Sequence, residues 1–123
     1  MVVMNYAEMK NALMLMENPV GRLEMLMDFG KELSPVPDGA ICTEIVGCTS
    51  FVEICQKDGR FYGRADSFMV RGIVALILSM IDGKDIIDIK KMDLMAEIKS
   101  LDLNLGAARL NGVQSMINFF KNL

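Results

Sequence analysis

The side chains able to do chemistry in this 123-residue sequence are few, and Cys42, Cys48 and Cys55 stand first among them because the chain contains no histidine. Without histidine, Ser-His-Asp and Cys-His nucleophile pairs cannot be built within the chain, and neither can finger-type Cys/His zinc sites. The cysteines are spaced too widely for a CxxC redox pair or a zinc knuckle. Cys42 and Cys55 fall in β-compatible runs and read as small buried hydrophobes. An odd number of cysteines in a chain read as unexported predicts mostly free thiols. Cys48 differs, because it follows Gly47 and precedes Thr49 and Ser50 in a predicted loop. Loop amides near such a thiol favour its thiolate, the form that attacks and is attacked at sulfur.

The elements that must position this loop can be read from caps and periodicity. Asn5 and Glu8 have capping-box spacing, and Tyr6, Met9, Leu13 and Met16 then share one helical face. Asn18-Pro19 starts a second helix with an N-cap and an N1 proline, and Leu23, Leu26, Met27, Gly30 and Leu33 form its stripe. Two prolines and a glycine make 34–39 a loop. The period then changes. Runs 42–46, 51–56 and 61–65 are β-compatible, with Asp58-Gly59 suited to a tight hairpin turn. Asp66 or Ser67 can cap a helix ending near Asp82 and Gly83, and a short turn follows at 85–89. Asp93 can cap 94–101. A last helix begins at Gly106 or Ala107, with Leu110, Val113, Met116, Ile117 and Phe120 inward. The pattern predicts one α+β domain over 1–123: a small three-stranded antiparallel sheet packed by N- and C-terminal helices.

Composition removes other classes of function. Thirteen basic against sixteen acidic residues, a net charge of −3, offers no basic excess for nucleic acid. The mean hydropathy of +0.32 raises the question of membranes. Yet the most apolar run, 68–81, is interrupted by Arg71 and falls short of the roughly 20 residues a bilayer requires. Residues 1–6 lack a basic n-region and a cleavage site, so a cytoplasmic protein is expected. The 12 methionines spread along helix faces as core filler rather than clustering as a metal site.

The segment Ile45-Val46-Gly47-Cys48-Thr49-Ser50-Phe51-Val52 resembles the V-x-G-C-x-S-x-V stretch of SufE-like cysteine desulfuration proteins. Ala65-Asp66-Ser67-Phe68-Met69-Val70-Arg71-Gly72 resembles their acidic cap and I-V-[KR]-G segment. Arg109-Leu110-Asn111-Gly112-Val113-Gln114-Ser115-Met116 is similar to their R-x-x-G-[LV]-x-x-M helix. Arg22 to Leu33 resembles the helix that ends G-[KQR]-x-L before a proline-containing loop. The match is collinear from about Arg22 to Phe120. It departs at Glu53, where the family usually has Trp, at Val46, and at Thr49, where Gln is common; residues before Asn18 carry no family signal.

The resemblance implies a SufE/IscU-like fold and a sulfur acceptor. A pyridoxal-phosphate (PLP) cysteine desulfurase of the SufS/CsdA type would hold sulfur as a persulfide. Cys48 would take it and pass it to an iron–sulfur scaffold, the chain stimulating the desulfurase rather than acting as an autonomous enzyme. No cofactor or metal is expected on this chain; the PLP belongs to the partner. By the same resemblance Asp66, Arg109, Gly47 and Ser50 serve partner binding or loop control. Asp66 can equally be a plain helix cap, and Arg109 a plain surface ion pair. Gly72 and Gly112 read as sites of close helix packing. Displacement at sulfur needs a reachable thiolate and a mobile segment, not a general base in this chain, so Cys48 is expected to sit inward at rest and to swing out on docking. Two other classes remain: an iron–sulfur scaffold holding metal on several thiolates, and a non-catalytic adaptor in which Cys48 is incidental.

Overall fold

The computed structural model describes residues 4–123; residues 1–3, on which part of the leader reading rests, lie outside them. The N-terminal helices form where the capping signals place them. Helix α1 (Tyr6–Leu15) has a complete capping box between Asn5 and Glu8, and α2 (Pro19–Phe29) is capped by Asn18, whose side chain accepts from the Val20 amide. Met9 and Leu13 of α1 are fully buried. From α2, Leu26 and Phe29 enter the core.

Three strands follow: β1 (Ile41–Glu44), β2 (Val52–Lys57) and β3 (Arg60–Ala65), an antiparallel sheet in the order β1-β2-β3. Asp58 and Gly59 both have positive φ, which matches the twist a two-residue hairpin needs between Lys57 and its partner Arg60. The alternation of β2 and β3 puts Val52, Ile54, Phe61 and Ala65 inward. Glu53, Tyr62 and Arg64 lie on the other face, where Glu53 pairs with Arg64 at 3.3 Å. Every residue of β1 is exposed.

Helix α3 (Phe68–Ile81) is the centre of the molecule. It is apolar all round and buried from Gly72 to Ile81, as a helix covered on every side must be. Its one buried hydroxyl, Ser79, donates to the Leu76 carbonyl at 2.6 Å. Gly72 lets α2 approach, since a Cβ there would strike the backbone of Leu26. Ser67 is the N-cap, accepting from the Val70 amide, and Asp66 is not. The turn expected at 85–89 is instead a short helix, α4 (Ile86–Lys91), because Asp85 caps the Asp88 amide and Ile89 is buried. Asp93 caps α5 (Leu94–Ser100) as expected. Helix α6 (Ala107–Lys121) buries Val113, Met116, Ile117 and Phe120, and the Phe120 ring meets Phe61 edge to face at 5.3 Å. The result is the expected α+β arrangement. No helix among the described residues is long and apolar enough to cross a membrane.

One expectation fails. Cys42 and Cys55 are not free thiols: they form a disulfide between β1 and β2, with Cα atoms 4.0 Å apart. The register places them directly opposite one another. Cys55 is buried on the face of the sheet that carries Glu53 and Tyr62, and Cys42 is exposed. The pairing is a property of register, which neither strand shows alone.

Candidate functional site

Cys48 sits in the 45–51 loop that joins β1 to β2. The loop is closed at its base by the Ile45 amide donating to the Val52 carbonyl at 2.9 Å, and the Ile45 side chain is buried. Gly47 has φ +101°, a conformation that side chains rarely adopt, and a Cβ there would also collide with Ser115 of α6. Glycine is therefore required twice over, and the following residue is turned toward α6.

The thiol of Cys48, half-buried, is the free cysteine of the chain and lies 3.7 Å from the Gly112 carbonyl oxygen, to which it donates. Gly112 matters through what it lacks, since a Cβ at that position would stand 3.3 Å from the Cys48 sulfur. The expectation that Gly112 serves helix–helix packing is corrected: it leaves room for a sulfur atom. Arg109 and Gly112 lie one turn apart, so the spacing did place them on one face of α6. What the spacing could not supply was the loop that meets that face.

Around the thiol is a cavity of about 10 Å³ lined by Cys48, Ser50, Val70, Ile73, Arg109 and Met116 among others. That is near the lower limit for one water. The Ser50 hydroxyl oxygen is buried and has no hydrogen-bond partner among the described residues. Such groups are rare enough to call for a reason. Burial pushes the Cys48 thiol pKa up. That is the opposite direction from the one in which loop amides holding a thiolate would move it.

The expected site residues divide. Cys48, Ser50 and Arg109 share one cavity, with Gly47 shaping the loop beside it. Arg109 is exposed and forms no ion pair among the described residues, so the surface salt bridge considered for it is absent there. Asp66 lies elsewhere. It is exposed in a separate cleft of about 640 Å³ with Gly30, Phe51, Arg64 and Arg71, its amide donating to the Phe51 carbonyl at 3.4 Å. Arg71 is structural: it donates to the Ala65 carbonyl at 2.7 Å and covers the Phe68 ring at 5.2 Å. Cys42, Glu53 and Cys55 bring sulfur and carboxylate atoms within 4.8 Å of one another. With the sulfurs joined to each other, neither is available there as a thiolate ligand.

The free cysteine of this α+β domain is thus seated in the loop between β1 and β2. The model of the SufE family, described as an Fe-S metabolism associated domain, matches residues 7–123, and the chain belongs to that family. Among its relatives is an uncharacterized SufE-like protein of Synechocystis, 32% identical over 111 residues that cover 85% of this chain and 68% of the relative. Another SufE-like protein, from Rhizobium meliloti, is 29% identical over 113 residues, 82% of this chain and 81% of its own. The sulfur acceptor protein CsdE of Escherichia coli is 28% identical over 104 residues, 77% of this chain and 71% of CsdE.

Proposed function

We propose that this chain is a sulfur acceptor: Cys48 takes sulfur from the persulfide of a PLP-dependent cysteine desulfurase and passes it to an iron–sulfur scaffold, in the cytoplasm. The observation that carries the reading is the seating of a free thiol on the Gly112 carbonyl in a cavity shared with an unpartnered serine hydroxyl and an unpaired arginine. Family membership and the relative named as a sulfur acceptor support it.

In the step itself the Cys48 thiolate attacks the outer sulfur of the donor persulfide. A new S–S bond forms on Cys48, the donor's S–S bond breaks, and the donor cysteine leaves as thiolate. At rest burial raises the Cys48 thiol pKa and so disfavours the thiolate, the form that reacts with electrophiles. Rotation of the loop into solvent restores an ordinary thiol pKa and makes attack possible. After loading, return of the loop shelters the persulfide from water and reductants. The Ser50 hydroxyl then has the acceptor it lacks at rest, and Arg109 at the cavity rim offsets the charge of an ionised persulfide. An iron–sulfur scaffold would need several thiolates. With Cys42 and Cys55 bonded to each other, the chain offers Cys48 alone, so the acceptor reading is preferred.

The test is mass spectrometry after incubation with a cysteine desulfurase and cysteine. A gain of about 32 Da, one sulfur atom, is expected on the Cys48 peptide. Cys48→Ser is expected to keep binding to the desulfurase and lose both the label and the stimulation. Survival of label and stimulation in Cys48→Ser would leave an adaptor.

A further inference from the structure

A second sulfur centre lies outside the Cys48 cavity, on the outer face of the sheet. The Cys42–Cys55 disulfide joins the two strands whose connection carries Cys48. Ile45 and Val52 are hydrogen-bonded partners at the base of the loop. Alternation along an antiparallel ladder therefore makes Cys42 and Cys55 a non-hydrogen-bonded pair, the closer kind, in which side chains meet most directly. The two sulfurs differ in access: Cys42 is exposed and Cys55 is completely buried.

The disulfide also occupies a particular place in the mechanics of the hairpin. Strand β1 has four residues, all exposed, and it is an edge strand. No side chain of β1 is buried, so apolar burial does not hold 41–44 in place. What holds the strand is its ladder to β2 and the S–S bond. Beside that bond, Glu53 Oε1 lies 3.7 Å from Cys55 Sγ, its carboxylate facing Arg64.

We propose that Cys42–Cys55 is a reversible thiol–disulfide exchange site that takes small thiol reductants at Cys42 and controls how freely the 45–51 loop releases Cys48. The attacking thiolate of the reductant reaches the exposed Cys42 sulfur. A mixed disulfide forms there, the Cys42–Cys55 bond breaks, and Cys55 leaves as a thiolate that takes up a proton. A second reductant thiolate attacks the reductant's own sulfur in the mixed disulfide, releasing Cys42 and forming the reductant disulfide. Two thiols of reductant are thus oxidised and the pair gains two electrons and two protons. Access sets this order, because the Cys42 sulfur is exposed and the Cys55 sulfur is buried. Once the pair is reduced, β1 is held by its ladder alone and frays at the edge, and the N-terminal anchor of the Cys48 loop loosens, left to the Ile45–Val52 hydrogen bond and the buried Ile45 side chain. The importance of that loosening rests on the acceptor reading; the exchange itself does not.

The experiment uses the full chain, with reduced and oxidised glutathione as probes and a short iodoacetamide pulse read by mass spectrometry, no desulfurase being present. In the oxidised chain, only Cys48 is expected to be labelled, and slowly. After glutathione, with circular dichroism unchanged, label is expected on Cys42 and Cys55 as well, and Cys48 is expected to react several-fold faster. Oxidised glutathione should restore the slow rate. A Cys42→Ser/Cys55→Ser double variant should react at the fast rate in either condition, and the two states of the unaltered chain decide the matter if that variant does not fold. A pair that resists glutathione until denaturant is added overturns the exchange site. Equal Cys48 rates in both states overturn its control of the loop. Failure of Cys48 to load from a desulfurase would sink the acceptor reading and leave both of these results standing.

Discussion

Gly112 decides how Cys48 sits. Adding a methyl group at 112 would place it 3.3 Å from the cysteine sulfur, tight enough that one side must give by a few tenths of an ångström, and α6 is anchored by Val113, Met116 and Phe120. Gly112→Ala is therefore expected to expel the thiol. Its alkylation should accelerate, and the fold should lose about 1–3 kcal/mol, read from denaturant midpoints. An unchanged alkylation rate would mean the thiol is already out of its seat in solution. The pH dependence carries a second signature. Burial raises the Cys48 pKa in the folded chain, so between the ordinary thiol value and that raised value the unfolded chain ionises and the folded one does not. This contribution to stability is fully present below the ordinary value and is lost as pH rises through the folded one. The alkylation rate of the seated thiol should reach its plateau at higher pH than that of the denatured chain. Cys48 itself was legible from its glycine and its neighbours in sequence. The seat was not, because Gly112 is distant in the chain and its role depends on what packs against it.

At the scale of elements, legibility followed locality. The caps at Asn5, Asn18 and Asp93 and the Asp58-Gly59 turn are short-range patterns whose physics is complete within a few residues, and each formed where expected. Asp85 to Ile89 reads as a turn because six residues of α4 are too few to show a period, yet a cap and one buried isoleucine suffice when the rest of the chain supplies the contact. The Cys42–Cys55 bond needed the register of two strands. A hairpin centred on the Cys48-Thr49 step would have paired them, and that is the signal that was there to use. One tie between elements is open to direct test. Lys10 and the Tyr6 hydroxyl of α1 both meet Glu97 of α5, at 2.8 Å for Lys10. These bonds hold the Glu97 carboxyl below its usual range, Lys10 contributing most. A lowered folded pKa gives stability that is present above the unfolded value and is lost as pH falls through the folded one. Because Lys10 and Glu97 are partly solvated, the effect is expected to be about 0.5–1 kcal/mol. Glu97→Gln should flatten the acid limb of the stability profile by that amount, and a profile identical to that of the unaltered chain would deny the tie.

The whole molecule separates its stability from its chemistry. The core runs along α3, with the sheet and α2 against it, and the reactive loop is held at the edge of that body. Within that loop two apolar side chains are exposed, Val46 strongly and Phe51 less fully. Arg109 stands among the exposed polar groups of the same region without an ion-pair partner. If the chain exchanges sulfur with another protein as proposed, such residues belong to the encounter, and their removal should leave the fold alone. Arg109→Ala and Val46→Ser are therefore each expected to change stability by less than about 0.5 kcal/mol, as surface substitutions away from special features do. Both should slow sulfur transfer from a desulfurase. The two should differ in salt. The rate with Val46→Ser should keep the ionic-strength dependence of the unaltered chain, whereas Arg109→Ala should weaken it, since a long-range charge contribution is screened by salt and an apolar contact is not. Loading of Cys48 from inorganic polysulfide, which needs no protein contact, serves as the control. A loss of polysulfide loading in Arg109→Ala as large as the loss of transfer would confine the arginine to the persulfide charge it offsets and deny it a part in docking.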